Sequence, residues 1–361
     1  MELTGKRIII TGATGFIGRN VAKQLLEQGA IVYALVRPES KQKDLLPIHE
    51  NMHLLAGSMA EIGDWADKLG HADAFLHFAW GGVNRAEIDS PVVQAANVAD
   101  SLACVEAAHK LGCQVFMDAG SRVEYGITAD GTMMESMECH PVNAYGAAKL
   151  EFYQKAVPLC RDWNMKYYHL RFFSVYGTGD HPWSIISTLV RELPEGKTVS
   201  LSACRHRWNF MDIEDAARAV VELYRYSDWM DGSKQKIQSQ MTSDSELQGR
   251  ELQDPESQDT RTQDMCGKGM ETSNMGETAA QAHIVNIAST DTRVLREFTE
   301  EIHQLCGGRG ALEYGTFAQA KEGALSICPK VDALKWLTGG SWQERVTFSE
   351  GIRRMLEAQE K

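Results

Sequence analysis

The sequence predicts an α/β protein, a doubly wound parallel sheet followed by a smaller C-terminal lobe. Three observations lead there. Short apolar strand signals alternate with helical ones through the first half of the 361 residues. Those strands are apolar nearly end to end, as strands covered on both faces are. A glycine-punctuated turn joins the first strand directly to the first helix.

The first strand covers residues 7–10, with Ile8-Ile9-Ile10 as its β-branched body. Thr11-Gly12-Ala13-Thr14-Gly15-Phe16-Ile17-Gly18 follows at once and opens an amphipathic helix over 15–28. The spacing is G-x-x-G-x-x-G. Gly12 allows the turn, Gly15 lets the backbone approach an anion, and Gly18 lets helix and strand pack closely. The helix N-terminus aims free N–H groups and its positive dipole end over the turn, and a pyrophosphate suits that place. Further strands are expected at 30–36, 52–56, 74–79, 115–119 and 167–173, with helices at 61–69, 91–111 and 143–163 between them. Right-handed crossovers then give the doubly wound, Rossmann-type sheet.

After Val175 the pattern loosens. Helical segments appear at 183–191 and 213–226, with a strand-like patch at 199–201. Residues 227–282 are rich in Gln, Ser, Asp, Glu, Thr, Met and Gly and poor in aromatic and β-branched residues. Such a segment buries too little apolar surface to offset its ordering entropy, so it reads as a disordered insertion. Ordered sequence resumes with a strand at 283–287, a helix at 292–305, an apolar-periodic segment at 331–337 and a last helix at 348–358.

Composition excludes several classes. A 43% hydrophobic and 24% charged chain is an ordinary globular one. The net charge of −12 argues against nucleic acid or an anionic membrane as the main partner. Eight cysteines without a C-x-x-C pair argue against a metal or disulfide framework. They favour a reducing compartment, and a cytoplasmic location is expected. No apolar stretch is long enough to span a bilayer, and a first strand beginning near residue 7 leaves no room for a cleaved signal peptide.

Two clusters carry chemistry. In Tyr145-Gly146-Ala147-Ala148-Lys149, tyrosine and lysine are four apart and share a helix face. An ammonium beside a phenol favours phenolate, which makes Tyr145 a workable acid/base near neutral pH. In Phe116-Met117-Asp118-Ala119-Gly120-Ser121-Arg122-Val123-Glu124-Tyr125-Gly126, Ser121 sits just past the carboxyl end of a strand. Ligands of open α/β sheets bind there, and a hydroxyl can hydrogen-bond a substrate carbonyl.

These clusters, in this order and spacing, resemble the extended short-chain dehydrogenase/reductase family. The likeness is strongest to its NAD-dependent epimerase/dehydratase branch of nucleotide-sugar epimerases and reductases. The resemblance implies a Ser121, Tyr145 and Lys149 catalytic set. Tyr145 would exchange a proton with the oxygen at the reacting carbon, Ser121 would polarise that oxygen, and Lys149 would bind the nicotinamide ribose. Cofactor contacts would come from Gly12, Thr14, Gly15, Phe16, Ile17 and Gly18, from Ser58 and Met59, from Phe78 and Ala79, from Asn97, and from Tyr145 and Lys149. Substrate contacts would come from Trp80, Ser121, Arg122, His181 and Arg207. His77 reads as a packed strand residue. A nicotinamide-binding domain would span 1–174, with returns near 205–226 and 283–289. A substrate lobe would comprise 175–204 and 290–361. The helices at 91–111 and 143–163 would pair across a homodimer two-fold, where Leu102, Val105, Leu150 and Phe152 are apolar candidates that could equally pack on the sheet.

Departures from the family pattern narrow the reading. The acid that dehydrating members carry two positions before the tyrosine of their Y-G pair is here Val123, which moves no protons. Glu124, on a strand-like segment, would face the other way. Ser174 replaces the usual asparagine of the segment Arg171–Gly177. Trp208 stands where epimerases place a phosphate-binding arginine, with Arg205 and Arg207 nearby. The second strand ends in Val36-Arg37-Pro38, without an acid for ribose hydroxyls. An arginine there suits a 2′-phosphate, which favours NADP over NAD. The expected activity is reduction of a 4-keto nucleotide sugar, or its epimerisation. Reduction of a small apolar ketone and a non-catalytic dinucleotide sensor are the alternatives.

Overall fold

The computed structural model describes residues 2–227, 282–316 and 326–359. Seven strands form the main sheet: β1 Arg7–Thr11, β2 Ile31–Val36, β3 Met52–Ala56, β4 Ala74–His77, β5 Val115–Ser121, β6 Lys166–Phe172 and β7 Ala282–Ile287. They are all parallel, in the order β7-β6-β5-β4-β1-β2-β3. Strand order reverses between β1 and β4, and in open α/β sheets ligands bind outside the carboxyl ends of the strands at such a point. Residues 228–281 lie outside the described residues, and with them nearly all of the insertion expected over 227–282.

A single row of side chains shows how register is set. Ile9, Phe75, Phe116 and Tyr167 are neighbours across β1, β4, β5 and β6. All four are fully buried. The Phe75 and Phe116 rings stack at 5.4 Å, and Tyr167 follows at 6.0 Å. A one-residue slip would turn this row to the other face and break the ring stack.

Four helices cover the strands: α1 Phe16–Glu27, α2 Ile62–Leu69, α3 Pro91–Lys110 and α4 Ala144–Asp162. Proline opens α3 at its first helical position, where its missing N–H costs nothing. Asn143 caps α4 by accepting the Gly146 N–H at 2.8 Å. Of the apolar candidates for a partner-subunit face, Val105 and Phe152 are corrected: both are wholly buried. Leu102 and Leu150 are half-buried.

The later segments build a second core. A three-stranded sheet joins Ser174–Tyr176, Arg207–Asp212 and Thr292–Val294. Tyr176, Phe210, Phe298 and Phe348 pack there, with Phe298 and Phe348 centred 4.8 Å apart. The helix expected at 292–305 is therefore corrected at its start. Residues 292–294 pair antiparallel with 207–209, and the helix runs Leu295–Leu305. The partner strand is some 85 positions away, so no local pattern announces it. Two strand ends also move. β4 stops at His77, with one last bond from the Phe78 N–H to Thr11 O. β5 runs on to Ser121, which is its last residue and not the one beyond it. Among the described residues no helix is long and apolar enough to cross a membrane.

Candidate active site

The glycine turn is built by close approach. Gly12 has φ +72°, and a Cβ there would lie 2.5 Å from the Ala79 nitrogen. A Cβ at Gly18 would lie 2.3 Å from the Gly12 carbonyl oxygen. These two glycines let β1, β4 and α1 meet. Gly15 differs: a Cβ there would meet only Gly12 O, at 3.2 Å. No side chain caps the N-terminus of α1, and its first turn holds no acid. Its donors are thus left to an anion, as the expected pyrophosphate requires.

The other expected cofactor residues are placed less uniformly. Arg37 is exposed just past β2, 3.8 Å from Glu39. The Ser58 hydroxyl and N–H both bond Glu61, forming a capping box, and Met59 packs against the core. Asn97 is buried and clamps Gly81, giving its Nδ2 to the carbonyl at 2.9 Å and accepting the N–H at 2.8 Å. His77 is buried between Thr11 Oγ1 and Ser101 Oγ. Burial, reinforced by Lys149, pushes it down to about 3, so it is a neutral packed residue as expected.

Ser121, Tyr145 and Lys149 come together at the end of β5 and the first turns of α4. Burial pushes the Tyr145 phenol up to about 12, against the opposing pull of the Ser121 hydroxyl and of Arg122. The expected lowering by Lys149 is corrected. Its ammonium is 5.9 Å from the Tyr145 ring centroid, donates to Ala119 O at 2.6 Å, and lies 3.5 Å from the Trp80 ring centroid. Burial lowers Lys149 to about 8, against Asp118 and Glu124. In the protein alone Tyr145 is a neutral phenol at pH 7, a proton donor.

Of the expected substrate residues, Ser121 and Trp80 belong to this centre, and beside them stands Arg122. It is half-buried, its charge acts on Tyr145, and its guanidinium lies 5.2 Å over the Trp208 ring. The buried Trp208 Nε1 has no hydrogen-bond partner among the described residues. Arg207 is exposed and donates to Thr292 O within its own sheet. His181 stacks on the exposed Trp183 at 4.6 Å. Their loop reaches α1, since Arg19 donates to Gly179 O.

The sequence reading missed the buried network behind Ser121. The segment Arg122–Tyr125 is a 3₁₀ turn and not strand-like, so Glu124 folds back under Ser121. Glu124 Oε1 accepts the Ser121 N–H at 2.6 Å, and Oε2 meets His169 Nε2 at 2.8 Å and Arg171 Nε at 2.9 Å. His169 Nδ1 meets Asp118 at 3.0 Å. All four side chains are buried. Burial opposes the His169 charge, but Asp118 and Glu124 outweigh it and raise the imidazole to about 9. Glycine is required at 120, because a Cβ would lie 2.6 Å from His169 Nε2. The signal was present: Asp118 and His169 are register partners inside otherwise apolar strands.

A profile of the NAD dependent epimerase/dehydratase family matches residues 8–233. The chain belongs to that family. Within it, the dTDP-6-deoxy-L-talose 4-dehydrogenase (NAD(+)) of Aggregatibacter actinomycetemcomitans is 27% identical over 223 residues, 60% of this chain and 78% of that protein. The UDP-glucose 4-epimerase of Corynebacterium glutamicum is 23% identical over 172 residues, 47% of this chain and 52% of that protein. Among solved structures, a Thermotoga maritima UDP-glucose 4-epimerase superposes with a TM-score of 0.73 at 18% identity, covering 98% of each chain. MoeE5 in complex with UDP-glucuronic acid and NAD superposes with a TM-score of 0.70 at 22% identity, covering 98% of this chain and 99% of that one. The NAD-dependent epimerase/dehydratase assignment makes the protein an enzyme of the extended short-chain dehydrogenase type. It also accounts for the uncapped α1 N-terminus beside Gly15, which suits a dinucleotide pyrophosphate.

Proposed function

We propose that this enzyme reduces the 4-keto group of a nucleotide-linked sugar, with NADP as its cofactor. The observation that carries the reading is the Ser121–Tyr145 pair, with its phenol protonated, at the carboxyl edge of the sheet. The bound dinucleotide supplies the hydride. The Tyr145 hydroxyl gives its proton to the carbonyl oxygen as the carbon is reduced. The Ser121 hydroxyl donates to the same oxygen and holds it in place. Lys149 brings the positive charge beside the ribose. Arg122, close to Tyr145 and backed by Trp208, is placed to pair with an anionic substrate group.

The proposed reaction is tested by following NADPH oxidation with dTDP- and UDP-linked 4-keto-6-deoxy sugars. Oxidation at a stoichiometry of one per reduced sugar supports it. Interconversion of nucleotide-sugar epimers without net oxidation overturns it in favour of an epimerase. Oxidation with a small apolar ketone alone favours the second reading.

NADP rests on Arg37, which is exposed at the end of β2 and tied only loosely to Glu39. Arg37→Asp is expected to weaken NADPH binding at least tenfold and to spare or improve NADH binding, because a carboxylate repels a 2′-phosphate and accepts from ribose hydroxyls. Titration of both cofactors checks this, and equal losses refute a phosphate-reading arginine.

We also propose a homodimer through α3 and α4. Support comes from the exposed Ala95, Ala96 and Ala99 on α3, with half-buried Leu102 beside them, and from Ala147 and Leu150 on α4. Leu102→Glu is expected to convert dimer to monomer in light scattering. A wild-type protein that is monomeric at high concentration contradicts it. Burial raises the Cys104, Cys113 and Cys160 thiols, which suits free thiols in a reducing cytoplasm.

A further inference from the structure

We propose that Trp80 is a positioning residue for Lys149, its indole face holding the ammonium charged and aimed beside Tyr145. The idea rests on the catalytic reading above for its purpose, but not for its test. Lys149 is 2% exposed, so its ammonium has lost nearly all of its water. An ammonium carries three donors. Ala119 O takes one at 2.6 Å, and the Trp80 ring covers another face with its centroid 3.5 Å from Nζ. That distance is well inside the range in which a ring quadrupole attracts a cation. A desolvated contact of this kind is worth roughly ten- to thirtyfold in the charged-to-neutral equilibrium.

The charged groups around Lys149 are shared with other partners. Asp118 and Glu124 favour its charge, but both are already engaged by His169, and Glu124 also by Arg171. His77, from β4, is kept neutral, and Tyr145 on the same helix is a neutral phenol. The ring is the remaining neighbour that stabilises the cation without being neutralised elsewhere.

The ring is also fixed in place. Trp80 Nε1 donates to Gln94 Oε1 at 2.8 Å. Gln94 is buried, and its Nε2 bonds the carbonyls of Gly82 and Glu87. Asn97, three residues on along α3, clamps Gly81 from both sides. The polar start of α3 therefore holds the segment 80–82 still. Edge contact with Tyr145 at 6.2 Å and packing on Phe152 at 6.5 Å complete the cage.

The test is the titration of Lys149 in the full-length protein, read from its ¹³Cε NMR signal and assigned by its loss in Lys149→Met. No substrate is needed, so a wrong substrate assignment leaves the readout untouched. In Trp80→Leu the titration midpoint is expected to fall by about one pH unit or more, the tenfold or greater loss of the contact. Trp80→Phe keeps a ring face and is expected to recover most of that shift. Gln94→Leu frees the indole N–H and should move the midpoint the same way by less. A Trp80→Leu protein that is folded and titrates like wild type overturns the proposal. If Trp80→Leu does not fold, an unchanged midpoint in Gln94→Leu overturns it instead.

Discussion

Tyr145→Phe is expected to lose about 10²–10⁴-fold in turnover, the usual contribution of a positioned acid. The variant removes one hydroxyl and leaves the ring against Trp80, so the fold and the cofactor site should persist. NADPH affinity, measured by fluorescence titration, is therefore expected to stay within a few-fold of wild type. The loss should fall on kcat, since the proton is needed as the carbonyl is reduced and not when it binds. Near-normal turnover with intact NADPH binding would remove Tyr145 from the chemistry and with it the reductase reading.

Glu124→Ala is expected to cost about 3–5 kcal/mol of stability, the range for breaking a buried ion pair by removing one partner. The loss is large because two cations, His169 and Arg171, are left facing a hole in a place without water. Arg171 Nη1 already lacks a hydrogen-bond partner among the described residues. Urea unfolding of wild type and variant measures the difference, and a change below about 1 kcal/mol contradicts a buried charge network. Glu124→Gln is expected to lose less, because it keeps an acceptor for the Ser121 N–H.

The same network gives stability a pH window. His169 is raised from an ordinary 6.5 to about 9, so its contribution is complete below about 6.5 and is lost as pH rises through about 9. Glu124 is lowered from 4.5 to about 2, because His169, Arg171 and the Ser121 N–H together outweigh burial. Its contribution is complete above about 4.5 and is lost as pH falls through about 2. These are two ends of one contact and are not added. Stability from this source is thus greatest between about pH 4.5 and 6.5.

Within the described residues, the main sheet and its helices were legible in the sequence. A buried parallel strand must be apolar on both faces, and a covering helix must repeat its apolar residues every three or four positions. Both constraints are local, so Ile8-Ile9-Ile10 and the run from Ala74 announce themselves. The glycine turn was legible for the same reason: its close approaches involve residues adjacent in sequence or on the neighbouring strand. The Tyr145–Lys149 pair was legible as one helical face, and Ser121 was joined to it only through the family resemblance.

Tertiary structure decided the rest. In the small sheet, Ser174–Tyr176 and Thr292–Val294 are too short to carry a period, and each pairs with Arg207–Asp212, far along the chain. The protonation states of the site were decided the same way. Sequence spacing put Lys149 next to Tyr145, and from that alone a lowered phenol followed. The fold instead buries the phenol and turns the ammonium onto Trp80 and Ala119, which come from the ends of other strands. Glu124 shows the difference most plainly. One backbone turn at 122–125 swings it from the expected opposite face to the centre of a charge network whose members lie 45 and 47 positions away. Residue types and local periodicity determine which elements form. Which charges meet, and in how little water, depends on contacts between elements that no local pattern encodes.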